Sequence, residues 1–200
     1  MLDEHEQLSV IRGLQQGCRE AWTKLYDGYR LEVWRYVARL LGPDAAAVAD
    51  VVQETFVEAA RSARRFDTDR GALAGWLTGI AHHRVASHWR QASRQDRVRK
   101  LAEAGAAEIC RLLDDEGPSS EWAEQQERAE LVRYVLAELP PDYAALLTSK
   151  YLDDRSLTDL SQQANSSVEA VKSKLARARR EFRTTFERMT RPATPSVREP

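Results

Sequence analysis

The chain has 200 residues, 42% of them hydrophobic and 30% charged, with 30 basic and 31 acidic side chains and a formal net charge of -1. This composition fits a soluble globular protein of one ordinary domain or two small ones, too apolar for a disordered chain. A total so near zero argues against a nucleic-acid-binding domain, which usually carries a basic excess.

Nine glycines and seven prolines are few. They disfavour a many-turned β fold and favour long helices. The first ten residues, MLDEHEQLSV, are acidic and polar, which does not suit a signal peptide. From Trp22 the run Trp22, Leu25, Tyr26, Tyr29, Val33, Trp34, Val37, Leu40 and Leu41 steps by three and four. It predicts one amphipathic helix with that set turned inward, stopped at Gly42-Pro43. Asp44 then caps a second stripe of Val48, Val51, Val52, Thr55, Phe56, Ala59 and Ala63. Residues Phe66 to Gly71 form a turn-rich loop, and a helix follows from Leu73 to Arg90.

The pattern weakens from Ala92 to about Ser120. Helices are then predicted at 121–138, 141–152, 156–164 and 167–188, with a frayed tail at 189–200. The fold class is therefore all-α. Two small helical domains, 1–92 and 121–188, are joined by a linker, 93–120. No run of 18 apolar residues exists, so no membrane insertion is expected. Cys18 and Cys110 fit no metal or redox spacing. A reduced, cytoplasmic setting follows.

Dividing the charge along the chain changes the first impression. Residues 1–92 are neutral, 93–143 carry -5 and 144–200 carry +4. Seven of the cations fall within 168–188, and six more fall within 84–100. Clustered cations attract phosphate whatever the total charge. The segment SLTDLSQQANSSVEAVKSKLARARREFR has the form of a helix-turn-helix. Leu157, Leu160 and Ala164 make the inner stripe of the first helix. Asn165 tolerates the left-handed turn, and Ser166 or Ser167 caps the second helix. Val168, Val171, Leu175 and Ala178 face inward. Ser167, Glu169, Lys172, Ser173, Ala176, Arg177 and Arg180 are left for a major groove, where Lys and Arg reach guanine edges or phosphates.

These residues resemble the recognition helix of the extracytoplasmic-function (ECF) group of bacterial RNA polymerase sigma factors, in the sigma-70 family. The resemblance extends to the first domain through AWTKLYDGYRLEVWRYVARLLG, DVVQETFVEAARSARRFD and GALAGWLTGIAHHRVASHWR. The family commonly has Gly where this chain has Asn165. The resemblance implies a sigma region 2-like domain at 1–92 and a region 4-like domain at 121–188. It implies binding to core RNA polymerase at the β′ clamp helices and the β flap, and to promoter DNA. It also implies control by an anti-sigma factor that the sequence does not identify.

Asp50, Gln53, Glu54 and Val57 share one outer helix face. Two carboxylates and an amide there can accept hydrogen bonds from Arg on a partner helix. The resemblance makes that partner the clamp helices. The resemblance makes this loop and the next helix the minus-ten reading element, in which Phe66, Asp67, Thr68, Asp69, Arg70 and Gly71 would form a pocket edge for unstacked bases. His83, Arg84, His88, Trp89 and Arg90, with His82, offer stacking and charge. Trp76 falls in the inward stripe; Trp89 fits either core or base contact. His82, His83 and His88 do not have ligand spacing on one helical turn, so no metal is expected.

No P-loop, nucleophile elbow, HExxH or dinucleotide fingerprint is present, so neither catalytic residues nor a cofactor are expected, and the chain is not read as an enzyme. The function implied is promoter-specific initiation with core polymerase, by reading the minus-thirty-five duplex and capturing melted minus-ten bases. One alternative is a self-sufficient helix-turn-helix regulator with an N-terminal dimerisation or sensor domain. Another is a helical adaptor that binds only protein.

Overall fold

The computed structural model describes residues 4–67, 72–91 and 122–190, and all regular structure among them is helical. The first helix, α1 (Glu4–Gln15), lies outside the expected set. It buries Val10, Ile11 and Leu14, too few apolar positions to stand out beside its polar start. Gly13 marks its crossing with α2 (Arg19–Leu41). A Cβ at Gly13 would stand 2.6 Å from the Cβ of Ala21, well inside carbon contact distance.

α2 buries Leu25, Tyr29, Val33, Val37, Leu40 and Leu41. Tyr26 and Trp34, expected in the same inward set, stay 45% and 40% exposed. Steps of three and four trace two adjacent rows on a helix, and only one row reaches this core. α2 ends where expected, at Gly42. Its φ of +86° suits glycine, and its N–H returns to the Ala38 carbonyl at 2.8 Å.

Asp44 caps α3 (Ala45–Ser62), accepting from the Ala47 N–H at 3.0 Å. Val48, Val51, Val52, Thr55 and Ala59 are buried. The Thr55 hydroxyl donates to the Val51 carbonyl at 2.7 Å, so its burial leaves no orphaned donor. A 3-10 turn, Ala63–Arg65, leads to Phe66. α4 (Leu73–Gln91) buries Leu73, Leu77, Ala81, His82, Val85, Ala86 and Trp89.

The second group is α5 (Trp122–Glu138), α6 (Pro141–Leu147), α7 (Leu157–Gln163) and α8 (Val168–Thr190). Pro141 opens α6, where a missing N–H costs little. The helix expected to reach 152 keeps its length, but its last turn, Thr148–Leu152, widens to a π-turn closed by Asp153 N–H to the Thr148 carbonyl at 3.1 Å. α8 continues past the expected end at 188 to Thr190, with Met189 packed on the core. The linker 93–120 and the tail from 191 lie outside the described residues. The two groups meet: α5 packs on α2 and α4, and the buried apolar residues form one continuous cluster.

Candidate nucleic-acid and polymerase interfaces

α3 presents Asp50, Gln53, Glu54 and Val57 together on one exposed face. The inward row of valines fixes this face by default, because the helix has only two sides to distribute. Val57 is 42% exposed, an apolar centre with acids to one side. Phe56 beside it packs edge-on against Tyr26 of α2 at 4.9 Å, and Arg30 lies 5.9 Å over the Tyr26 ring. Tyr26 thus borders the α3 face as a rigid aromatic. Periodicity misses it, because periodicity assigns it to the core.

The second surface is built on α4 and the loop before it. Phe66 stacks obliquely on Trp76 at 4.8 Å, and its carbonyl accepts from the Gln15 amide at 3.3 Å, so α1 helps to fix the start of the loop. Phe66 is half-buried and Asp67 exposed; Thr68, Asp69, Arg70 and Gly71 lie outside the described residues. His83 and Arg90 are exposed, and His88 is half-buried. Arg84 pairs with Glu58 of α3 at 2.9 Å, which ties two helices together and neutralises its charge locally.

Trp89, open to either reading from sequence, is core. It is 4% exposed, its indole N–H donates to the Leu40 carbonyl at 3.2 Å, and its ring meets Tyr134 edge-on at 5.5 Å. His82, expected to offer stacking, is 2% exposed and also turned inward. Its Nε2 lies 2.7 Å from the Leu139 carbonyl and its Nδ1 2.9 Å from the Tyr36 hydroxyl. The carbonyl can only accept, so Nε2 carries the proton and Nδ1 accepts from Tyr36. Burial lowers the His82 pKa, the bond to Leu139 opposes this, and the neighbouring His83 lowers it further. Burial also raises the Tyr36 pKa, which keeps that hydroxyl a donor. Among the described residues no cluster of three His, Cys, Asp or Glu side chains is placed to hold a metal ion.

The third surface is the helix-turn-helix. Ser156 and Asp159 form a reciprocal capping box at the start of α7. Leu160 is buried as expected, but Ala164 is exposed because α7 ends at Gln163 and Ser161 takes the next inward place. Asn165 adopts φ of +45°, the left-handed turn expected of it. Of the two possible caps, Ser167 is used: its hydroxyl accepts from the Ala170 N–H at 3.1 Å. Val171, Leu175 and Ala178 are buried beneath α8. Ser167, Glu169, Lys172, Ser173, Ala176, Arg177 and Arg180 are all exposed. Glu169 holds Lys172 at 2.8 Å, and the Arg177 side chain leans back on the Ser173 carbonyl at 3.4 Å. Lys174 is drawn aside by Asp142 at 3.0 Å.

The sequence family described as Sigma-70 region 2 matches residues 25–95, and that described as Sigma-70, region 4, matches residues 129–182. The ECF RNA polymerase sigma factor SigL of Mycobacterium tuberculosis is 30% identical over 166 residues, covering 82% of this chain and 88% of SigL. The ECF RNA polymerase sigma factor SigK of Mycobacterium ulcerans is 25% identical, covering 90% of this chain and 92% of SigK. The solved structure of CnrH in complex with the cytosolic domain of CnrY covers 92% of this chain and 98% of CnrH, at 20% identity and a TM-score of 0.45.

Proposed function

The chain belongs to the ECF group of the sigma-70 family, and from that premise we propose that it binds core RNA polymerase and directs initiation at promoters recognised by its own side chains. The observation that carries this reading is the exposed α8 row of Lys172, Ser173, Ala176 and Arg177, set behind a left-handed Asn165 and a Ser167 cap. A cap that fixes the helix start also fixes where its first two turns meet a groove. Lys172 and Arg177 supply phosphate or guanine contacts to the minus-thirty-five duplex, while small Ser173 and Ala176 permit close approach.

The α3 face docks on the β′ clamp helices. Asp50 and Glu54 accept from basic partner groups, and Val57 supplies apolar contact. The region 4-like domain takes the β flap. Melted minus-ten bases are held at the loop that starts from Phe66 and Asp67, with His83, His88 and Arg90 along the strand. The chain positions and opens DNA; it performs no catalytic step and needs no cofactor, since phosphodiester chemistry belongs to the polymerase. It acts in the cytoplasm under an anti-sigma factor. No helix among the described residues is long and apolar enough to cross a membrane.

Mapping transcript starts in bacteria that overproduce the chain tests the proposal. New starts should share one pair of motifs, about 10 and about 35 base pairs upstream, roughly one and three turns of duplex away. New starts with no shared pair would refute promoter reading by this chain.

A further inference from the structure

The reading half of α8 carries a cation on each flank. Lys174 and Arg179 are half-buried, one on either side of the exposed row. Each is turned onto a neighbouring element, but onto different chemistry. Arg179 donates to the Tyr151 hydroxyl at 3.4 Å, a neutral acceptor that leaves the guanidinium its full charge. Lys174 pairs with the Asp142 carboxylate of α6 at 3.0 Å, which offsets its charge. Asp142, Lys174 and Arg177 line one open groove between α6 and α8. Lys174 therefore stands beside a side chain proposed to meet DNA, three residues before it along the helix.

A helix with its side chains is about 10–12 Å across, and the major groove of B-form DNA is about 12 Å wide. A helix seated there fills the groove, so its flanks meet the phosphates of the two strands. Lysine carries a point charge on a flexible four-carbon stem, so one swing takes Lys174 from the Asp142 carboxylate to a phosphate. The two partners compete. A lysine offset by a carboxylate displaces no net counterion from DNA, and the phosphate contact forms only at the expense of the ion pair. Glu169 holds Lys172 in the same way, yet it lies within the row and faces the groove alongside its partner. Asp142 belongs to another helix and offers the DNA backbone only repulsion.

We propose that Asp142 is a positioning residue for duplex binding: it holds Lys174 off the DNA backbone and so lowers the affinity of α8 for every duplex alike, whatever its sequence. The proposal rests on the functional reading above, in which α8 enters the upstream duplex. Phosphate contacts carry no sequence information, so a weakened phosphate share leaves more of the binding to base contacts. Residues 144–200 carry a charge of +4, which attracts any duplex. One acid beside the reading helix restrains that attraction at the place where the helix meets DNA.

The test uses the full chain and a fluorescent duplex of about 30 base pairs and random sequence, with anisotropy read from about 50 to 200 mM salt. Asp142→Asn should tighten binding about fivefold at about 150 mM salt, the gain expected from one added phosphate contact. The fall of log affinity with log salt should steepen by about 0.9 for the same reason. At about 150 mM salt the Debye length is about 8 Å, so a bare carboxylate on α6 repels phosphates little. In a Lys174→Ala background, Asp142→Asn should therefore change affinity by less than about twofold. Asp27→Asn adds the same unit of net charge at an exposed position of α2 and should also change it by less than about twofold. No tightening in Asp142→Asn overturns the proposal. Equal tightening in the Lys174→Ala background or in Asp27→Asn overturns it too, because net charge alone would then be the cause. Core polymerase keeps the two claims separate. A chain that initiates at promoters yet gains nothing from Asp142→Asn rejects only the role of Asp142. One that gains as expected yet never initiates with core polymerase rejects only the reading as an initiation factor.

Discussion

Asn165 shows how one residue sets the turn between two helices. Its φ of +45° costs most side chains about 1–2 kcal/mol, and Asn less. Replacing it with Ala is expected to lower stability by about 1 kcal/mol in chemical denaturation, while Gly should be neutral or stabilising. Equal stability of the Ala variant would mean that the turn is not under this constraint. His82 gives a pH dependence. Its pKa lies below the ordinary value of about 6.5, chiefly because of burial. Below that ordinary value the unfolded chain takes up a proton that the folded one resists. Stability is then full above about pH 6.5 and falls as pH drops toward the folded pKa. Tyr36 and the Leu139 carbonyl flank the ring, and His83 stands next to it. Denaturation midpoints should therefore decline as pH falls below about 6.5 in the wild type, and less steeply in His82→Gln. Parallel declines would remove His82 as the cause. Neither partner of His82 is legible in sequence, since Leu139 contributes a backbone carbonyl 57 residues away.

At the scale of elements, periodicity reads type well and facing less well. α3 has one buried row and needs no arbitration, so its outer face follows directly. α2 has two apolar rows, and Tyr26 and Trp34 fall on the wrong side of the reading. α1 is missed because Val10, Ile11 and Leu14, the buried side chains among its described ones, make a weak pattern. The helix-turn-helix is the most legible piece, since turn, cap and inner row all carry local chemistry. Two element-level outcomes follow. Lys172→Ala or Arg177→Ala should weaken binding to the upstream promoter element by about 1–3 kcal/mol if the contact is to a base. Unchanged affinity and unchanged sequence preference in both would remove α8 as the reading helix. Asp50→Ala with Gln53→Ala should reduce recovery of core polymerase in a pull-down while helicity by circular dichroism stays constant, because both side chains are exposed. Undiminished recovery would place the docking face elsewhere.

The near-zero net charge of the whole molecule divides into a neutral first domain, an acidic middle and a basic end. The contact of α5 with α2 and α4 adds what no local pattern carries. Leu131, Val135 and Leu139 belong to the second helical group in sequence, and the fold places them in one buried cluster with residues of α4. The acidic residues Glu138 and Asp153 then meet Arg90 and Arg39 across the joint. Two proposed DNA-facing surfaces and the proposed polymerase-facing helix α3, which precedes both in sequence, serve initiation only if all three act at once. Reconstituted transcription tests this most directly. Core polymerase, this chain and a template carrying its upstream motif pair should yield a transcript from one start site. Core polymerase alone, or with the Arg177→Ala chain, should yield little. Specific duplex binding by the free chain without any start-site-specific transcript would contradict the account and favour a self-sufficient regulator.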